Sequence, residues 1–95
     1  MSNVLNPSEI DVFLHDLTGW KRHGNSIQRV LQFPDFVSAM NFVNAVAEAA
    51  EAADHHPDIL INYNKVTLTL LSHDSGGVTR RDIQLAGNIN EISGA

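Results

Sequence analysis

The sequence predicts an α+β fold: a single domain in which a four-stranded antiparallel sheet carries three helices on one face. Its 95 residues suit one hydrophobic core rather than two. Segments with the helical period of 3.6 and segments with the strand period of 2 follow one another in the order α-β-β-α-β-β-α. Short links join the strands of each pair, which favours antiparallel pairing. We therefore expect a single domain over residues 1–95 with its core at about residues 8–92.

The first and last helices are predicted from their starts. Ser8 with Asp11 forms a capping-box pattern that opens a helix over residues 8–18. Thr79 with Asp82 forms the same pattern and opens a helix near the end of the sequence. In the first helix the apolar residues fall on one face; they are Ile10, Phe13, Leu14 and Leu17.

The middle helix has the strongest helical pattern, from Phe36 to about Asp54. Its apolar stripe consists of Phe36, Met40, Val43, Ala47 and Ala50, with Phe42, Val46 and Ala49 beside it. Its second half is rich in alanine and glutamate, which favour helix and would let another element approach closely. Pro57 ends the helix region, because proline disfavours α geometry in the residue before it.

Two hairpins flank the middle helix. Residues 20–23 and 27–33 are predicted to pair around Gly24, and residues 59–63 and 65–73 form the second pair. The better-buried face of the first hairpin carries Ile27, Arg29, Leu31 and Phe33.

Composition narrows the classes of function. Six basic residues against eleven acidic ones give a net charge of −5, which predicts no direct binding to a nucleic-acid backbone. The absence of cysteine excludes disulfides, thiolate metal sites and cysteine nucleophiles. No secretion signal is visible, and no apolar run approaches the ~18 residues that a membrane-spanning helix needs. We expect a cytoplasmic protein with no membrane contact.

Histidine is the notable residue type, since there are five in a chain without cysteine. His55, His56 and His73 lie among several acids, and imidazole can both donate and accept a proton near neutral pH. If the middle helix continues to His55, Glu51 shares its face at i, i+4 and could orient the ring. The same spacing is also typical of an ordinary surface pair, and His73 alone could be a solvated turn residue.

A metal site is not predicted. No His-Glu-x-x-His spacing occurs, and adjacent histidines are poorly placed to chelate one ion together. A serine hydrolase is not predicted either, because the Gly-x-Ser-x-Gly motif is absent.

Uncommon residues lie at specific spacings over much of the chain. The main motif is Glu51-x3-His55-His56-Pro57, then five residues to Tyr63, nine to His73 and eight to Asp82. Further motifs are Leu17-Thr18-Gly19-Trp20, Phe33-Pro34-Asp35-Phe36 and Gly77-Val78-Thr79-Arg80-Arg81-Asp82. Together, over roughly residues 8–90, they resemble the pterin-4a-carbinolamine dehydratase family.

The resemblance implies a hydro-lyase that dehydrates 4a-hydroxytetrahydrobiopterin to quinonoid dihydrobiopterin, in tetrahydrobiopterin recycling. It implies that His55 and His73 are the acid/base pair and that His56 lines the same pocket, binding substrate or joining in proton transfer. The residues that would orient the imidazoles or bind the pterin are Glu51, Asp54, Ser72, Trp20, Arg81 and Asp82. Trp20 could equally anchor the core. Arg81 and Asp82 could instead form a structural pair, and Asp82 could simply cap the last helix. No metal or separate cofactor is needed, because the pterin is the substrate.

The resemblance leaves a second class of function open. Members of the family also serve as a dimerisation cofactor for a transcription factor or as assembly factors for a carbon-fixing enzyme. The resemblance further implies a homodimer formed through sheet edges or a homotetramer formed through helices, and a small chain gains buried area by associating. The small size predicts a shallow site, where a helix exit meets a strand end.

Overall fold

The computed structural model of the chain describes residues 3–94 and has the predicted architecture within them. The elements are α1 (Pro7–Leu14), β1 (Lys21–His23), β2 (Ser26–Gln32), α2 (Phe36–Ala53), β3 (Asp58–Asn62), β4 (Lys65–Leu70) and α3 (Arg80–Ser93). The strands form an antiparallel sheet in the order β1-β2-β4-β3. No helix in the described part of the chain is long and apolar enough to cross a membrane.

The sheet buries the face that the strand alternation predicts. Its register places Ile27 beside Leu70 and Ile59 beside Leu68, so these apolar side chains form rows beneath the helices. Ile27, Leu68 and Leu70 are fully buried, which contributes about 1.5–3 kcal/mol for each side chain, whereas Ile59 is half-buried. The opposite face is polar or exposed. The core also extends further toward the N-terminus than predicted, because Leu5 is buried in it.

The buried face of α2 differs from the predicted stripe. The buried residues are Ala39, Phe42, Val43, Val46 and Ala50. Phe36 is 48% exposed and Ala47 is also exposed, so the prediction was wrong for both. Apolar residues lie on both sides of this helix, and periodicity alone therefore leaves its rotation undetermined. Packing decides it, with the Phe42 ring 5.0 Å from the Phe33 ring between centroids.

The start of α1 also differs. Asn6 is the N-cap, and its side chain accepts the Glu9 N–H at 2.8 Å while the Glu9 carboxylate accepts the Asn6 N–H at 2.9 Å. The capping box is therefore this pair, and the prediction of Ser8 with Asp11 was wrong. Pro7 explains the shift, because its fixed φ suits the first helical position. The helix is shorter than predicted, ending before residue 18.

Asp35 caps α2 by accepting the Ser38 N–H at 2.8 Å. The backbone and side-chain hydrogen bonds from Ser38 hold the pKa of Asp35 below its ordinary value. A lowered pKa in the folded state means that this contribution to stability is present above the pKa of the unfolded chain. It is lost as the pH falls through the folded-state pKa.

Candidate active site

The C-terminal end of α2 separates the two adjacent histidines. Asp54 takes the left-handed conformation, with φ 50° and ψ 44°, and the His55 N–H donates to the Ala50 carbonyl at 3.1 Å. This is the Schellman arrangement, which turns the chain sharply out of a helix. As a result His55 enters the protein and is only 5% exposed, whereas His56 remains at the surface.

The same turn changes the partners of both histidines. Glu51 and His55 do not share a helical face, because Asp54 leaves the helical conformation first, so the i, i+4 prediction was wrong. The Glu51 carboxylate instead contacts Nε2 of His56 in an exposed pair. In the interior, Nε2 of His55 contacts Oδ1 of Asp82.

Asp82 is fully buried at the centre of a hydrogen-bond network. Its Oδ2 accepts the Thr79 N–H at 2.9 Å and the Ser72 hydroxyl at 3.0 Å. Since the Ser72 proton is directed to the carboxylate, the Thr79 hydroxyl donates to Ser72 Oγ at 2.8 Å. The predicted capping box of α3 is thus confirmed. The same carboxylate also holds His55, so Asp82 joins the helix start to the candidate site.

His73 lies in the turn that follows β4. The Ser72 N–H donates to the Gly77 carbonyl at 2.9 Å, and Gly76 closes the turn with φ 79°, which glycine adopts without strain. Ser72 is directed into the protein toward Asp82, whereas His73 is exposed. The turn therefore presents an imidazole to solvent directly beside a buried polar network.

The three predicted histidines line the same open cleft, which has a volume of about 260 Å³. Its lining residues are Asp54, His55, His56, Leu71, His73, Asp74 and Arg81. This volume is below the roughly 300–1,000 Å³ that ligand pockets usually span, and the site is open to solvent, so it is a shallow cleft rather than an enclosed cavity. Its position, where the exit of α2 meets the end of β4, is the one that the sequence predicts.

Arg81 reaches the cleft from the first turn of α3. Its Nη2 lies 2.9 Å from Nδ1 of His55, and its Nη1 lies 3.7 Å from the Asp74 carboxylate. The structure places the His55 ring between the side chains of Arg81 and Asp82, so any pairing of the two runs through that ring. Together they contact both nitrogens of that ring.

Trp20 does not line this cleft. It is buried, and its indole N–H donates to Asn90 Oδ1 at 2.9 Å. Asn90 also accepts an N–H of Arg29 and donates to the Thr18 carbonyl at 3.1 Å. Of the two interpretations of Trp20, the structure supports the core anchor. The sequence did not predict this hydrogen-bonded cluster of Trp20, Arg29 and Asn90. The available signal was an arginine, Arg29, on the apolar face of β2. Partial burial lowers the pKa of its guanidinium.

Replacing Asp54 with Gly should stabilise the fold. A left-handed residue with a Cβ costs roughly 1–2 kcal/mol, while glycine costs about 0.4–1 kcal/mol in unfolded-state entropy. We therefore expect a net gain of about 0.8 kcal/mol, and at most about 1.6 kcal/mol. Denaturant unfolding measures this gain. Asp54→Ala is the control, because it removes the carboxylate but keeps the left-handed strain. A Gly variant no more stable than the Ala variant would contradict this account of the turn.

The chain is similar to known proteins over nearly its whole length. The family described as Pterin 4 alpha carbinolamine dehydratase matches residues 3–92. A protein of Koribacter versatilis (strain Ellin345), provisionally named pterin-4-alpha-carbinolamine dehydratase, is 58% identical over 92 residues, which are 97% of this chain and 98% of that protein. A protein of Roseiflexus castenholzii with the same provisional name is 54% identical over 97% of this chain and 99% of its own length.

Two solved structures are also similar. A transcriptional coactivator/pterin dehydratase from Brucella melitensis has a TM-score of 0.91 and 39% identity, covering 95% of this chain and 98% of that one. A pterin dehydratase-like protein described as a RuBisCO assembly factor in the alpha-carboxysome has a TM-score of 0.70 at 19% identity, covering 81% and 92%, and shares the fold alone. The family match and the identity to full-length relatives show that this chain belongs to the pterin-4-alpha-carbinolamine dehydratase family.

Proposed function

We propose that the protein is a hydro-lyase that converts 4a-hydroxytetrahydrobiopterin to quinonoid dihydrobiopterin and water, in tetrahydrobiopterin recycling. The observation that carries the proposal is the cleft that His55, His56 and His73 line together. Family membership supports the pterin as the class of substrate. We further predict that no metal or separate cofactor takes part and that the reaction occurs in the cytoplasm.

The reaction needs one base and one acid. The base takes the proton from N5 of the pterin, and the electrons of that N–H bond form the C4a=N5 double bond. The C4a–O bond breaks, and the acid protonates the departing hydroxyl so that water leaves. Imidazoles can serve in both roles near neutral pH, and each proton transfer contributes about 10²- to 10⁴-fold.

The contacts support His56 and His73 as the groups that exchange protons with the substrate. Glu51 contacts Nε2 of His56, so Nδ1 of that ring can accept a proton while the carboxylate stabilises the imidazolium that forms. We therefore assign His56 as the base and His73 as the acid. Within residues 3–94 the His73 ring has no hydrogen-bond partner, which leaves both its nitrogens available to a ligand. The family resemblance implied His55 for this pair, but protein groups contact both nitrogens of its ring.

The test is the rate at which freshly generated 4a-hydroxytetrahydropterin loses water with and without the protein. The proposal requires catalytic amounts of the protein to raise the rate above that in buffer. An unchanged rate would instead favour the alternative, a non-catalytic binding or assembly module. That alternative predicts a stoichiometric protein partner that still co-purifies when His73 is replaced.

We also propose that the protein is a homo-oligomer, with the free edge of β3 as the dimer contact. β3 pairs only with β4 among the described strands, and its residues Asp58–Asn62 include neither lysine nor proline, which commonly protect sheet edges. Leu60 on this strand is 57% exposed. A homotetramer would further require contacts between helices, for which the exposed alanines of α2 are suited.

Sedimentation equilibrium at micromolar concentration should give the mass of a dimer or tetramer. Leu60→Lys should shift it toward the monomer, because the introduced charge disfavours edge pairing. The exposed Val12 lies on α1 rather than on the sheet, so Val12→Lys is the matched control. A wild-type protein that sediments as a monomer would refute the proposed contact.

A further inference from the structure

We infer that Arg81 is a positioning residue that, with Asp82, holds His55 as the neutral Nε2–H tautomer. A catalytic role for this tautomer rests on the proposed dehydratase function. The tautomer itself is a property of the protein without substrate. In the structure, Arg81 contacts Nδ1 of the His55 ring and Asp82 contacts its Nε2.

The chemistry of the two partners assigns the proton. A guanidinium has only donors, so at 2.9 Å the Arg81 N–H donates and Nδ1 of His55 must present a lone pair. A carboxylate has only acceptors, so Nε2 must carry the hydrogen that is directed to Asp82 Oδ1. A doubly protonated ring would set its Nδ1–H against the N–H of Arg81, donor against donor and cation against cation.

The surrounding residues hold both partners in place. Oδ2 of Asp82 already accepts from Thr79 and Ser72, which fixes the carboxylate and leaves Oδ1 for His55. The Arg81 backbone N–H bonds to the Thr79 hydroxyl at 3.3 Å, and its guanidinium also faces Asp74. The arginine is thus anchored at its backbone, while its charge lies between a ring nitrogen and a carboxylate.

The consequence for the site is a division of roles among the three histidines. His55 can neither accept a proton at Nδ1 nor release the Nε2 proton to a ligand without breaking one of its two contacts. His55 is therefore an uncharged residue that lines the cleft. Arg81 and Asp82 set the orientation of its ring and the nitrogen that carries the hydrogen. Proton exchange with the substrate is left to His56 and His73.

Nuclear magnetic resonance of protein labelled with ¹⁵N-histidine tests this inference without any substrate. Long-range ¹H–¹⁵N correlations at neutral pH distinguish a protonated from an unprotonated ring nitrogen, and His55→Gln assigns the signals. In the wild type we expect an unprotonated Nδ1 and a protonated Nε2 for His55. A protonated Nδ1 would overturn the inference, and this outcome does not depend on how any variant folds.

Variants separate the part of Arg81 from that of Asp82. In Arg81→Met, Nδ1 loses the donor that excludes a hydrogen from it, so we expect the unprotonated Nδ1 signal to be lost or averaged. Arg81→Lys, which keeps a cation without acceptors, should retain that signal. Arg80→Met is the matched control, because Arg80 lies over the Phe13 ring instead, 5.3 Å from its centroid. An unchanged His55 spectrum in Arg81→Met would show that Asp82 acts alone.

The outcome is distinguishable from that of the proposed function. If the tautomer is found but the protein does not accelerate dehydration, the enzyme proposal fails and the positioning role of Arg81 stands. If dehydration is accelerated but Nδ1 of His55 is protonated, the positioning role fails and the enzyme proposal stands.

Discussion

Replacing His73 with Ala should lower kcat/KM for the dehydration by about 10²- to 10⁴-fold, the usual contribution of a general acid or base. The melting temperature should stay close to that of the wild type, because the side chain is exposed and, among the described residues, makes no hydrogen bond. Loss of activity without loss of stability is the expected signature of a residue whose role is chemical.

His23→Ala is the matched control for this prediction. His23 is also an exposed histidine at a strand end, but it lies on β1, at the opposite edge of the sheet from β3, and does not line the cleft. Its kcat/KM should equal that of the wild type. Equal activity of the His73 and His23 variants would remove His73 from the proposed mechanism.

His55→Ala should behave differently from His73→Ala. The ring is buried and bonded to Asp82, so its removal leaves a buried carboxylate oxygen without its partner. We expect both activity and melting temperature to fall. Thermal unfolding beside the activity assay separates the two histidines, and a His55 variant as stable as the wild type would contradict the structural role of that ring.

Replacing Asp82 should have the largest effect on stability. The carboxylate is fully buried and accepts from His55, Ser72 and Thr79. Removing one partner of a buried charged pair costs about 3–5 kcal/mol, a large part of the roughly 5–15 kcal/mol that stabilises a typical domain. Asp82→Ala should therefore unfold at much lower denaturant concentration, if it folds at all.

Asp82→Asn tests the donor pattern more finely. The asparagine amide has the shape of the carboxylate but carries hydrogens on one side. If the asparagine NH₂ group is directed to His55, it faces the Nε2–H, which is also a donor. If the NH₂ group is directed to Thr79, it faces the backbone N–H, which is again a donor. One buried donor is left unpaired either way, which costs about 1–3 kcal/mol. A fully stable Asp82→Asn protein would mean that the carboxylate does not accept all of these bonds.

Asp16→Asn is the control for the asparagine variant. Asp16 is exposed, and its side chain has no hydrogen-bond or ion-pair partner among residues 3–94. The same change of chemistry there should alter the free energy of unfolding by less than about 0.5 kcal/mol.

The fold could be predicted from the sequence wherever periodicity and local chemistry agree. Alternation identified Ile27 and Leu31 on the buried face of β2, and the Thr79–Asp82 spacing identified the start of α3. The rotation of α2 could not be predicted, because alanine and valine are found around the whole helix and only packing decides among them. The start of α1 was predicted wrongly at Ser8, because Asn6 is an equally good cap and Pro7 favours Asn6 by suiting the first helical position.

The sequence predicted which residues form the candidate site better than it predicted their contacts. The resemblance pointed to the three histidines, and the structure brings them to the same cleft. Their partners depend on the left-handed turn at Asp54. This conformation is uncommon for any residue other than glycine, and the spacing of residues in the sequence does not reveal it. That turn moves Glu51 from His55 to His56 and delivers His55 to Asp82.

The most direct test of the central claim is a turnover measurement. The 4a-hydroxytetrahydropterin is generated in the cuvette, and its loss of water is followed by absorbance in buffer, with wild-type protein, and with His23→Ala and His73→Ala at equal concentration. We predict that substoichiometric wild-type protein and the His23 variant accelerate the reaction equally over many turnovers, whereas the His73 variant approaches the buffer rate. A wild-type rate equal to that in buffer would contradict the assignment of this cleft as a dehydratase active site.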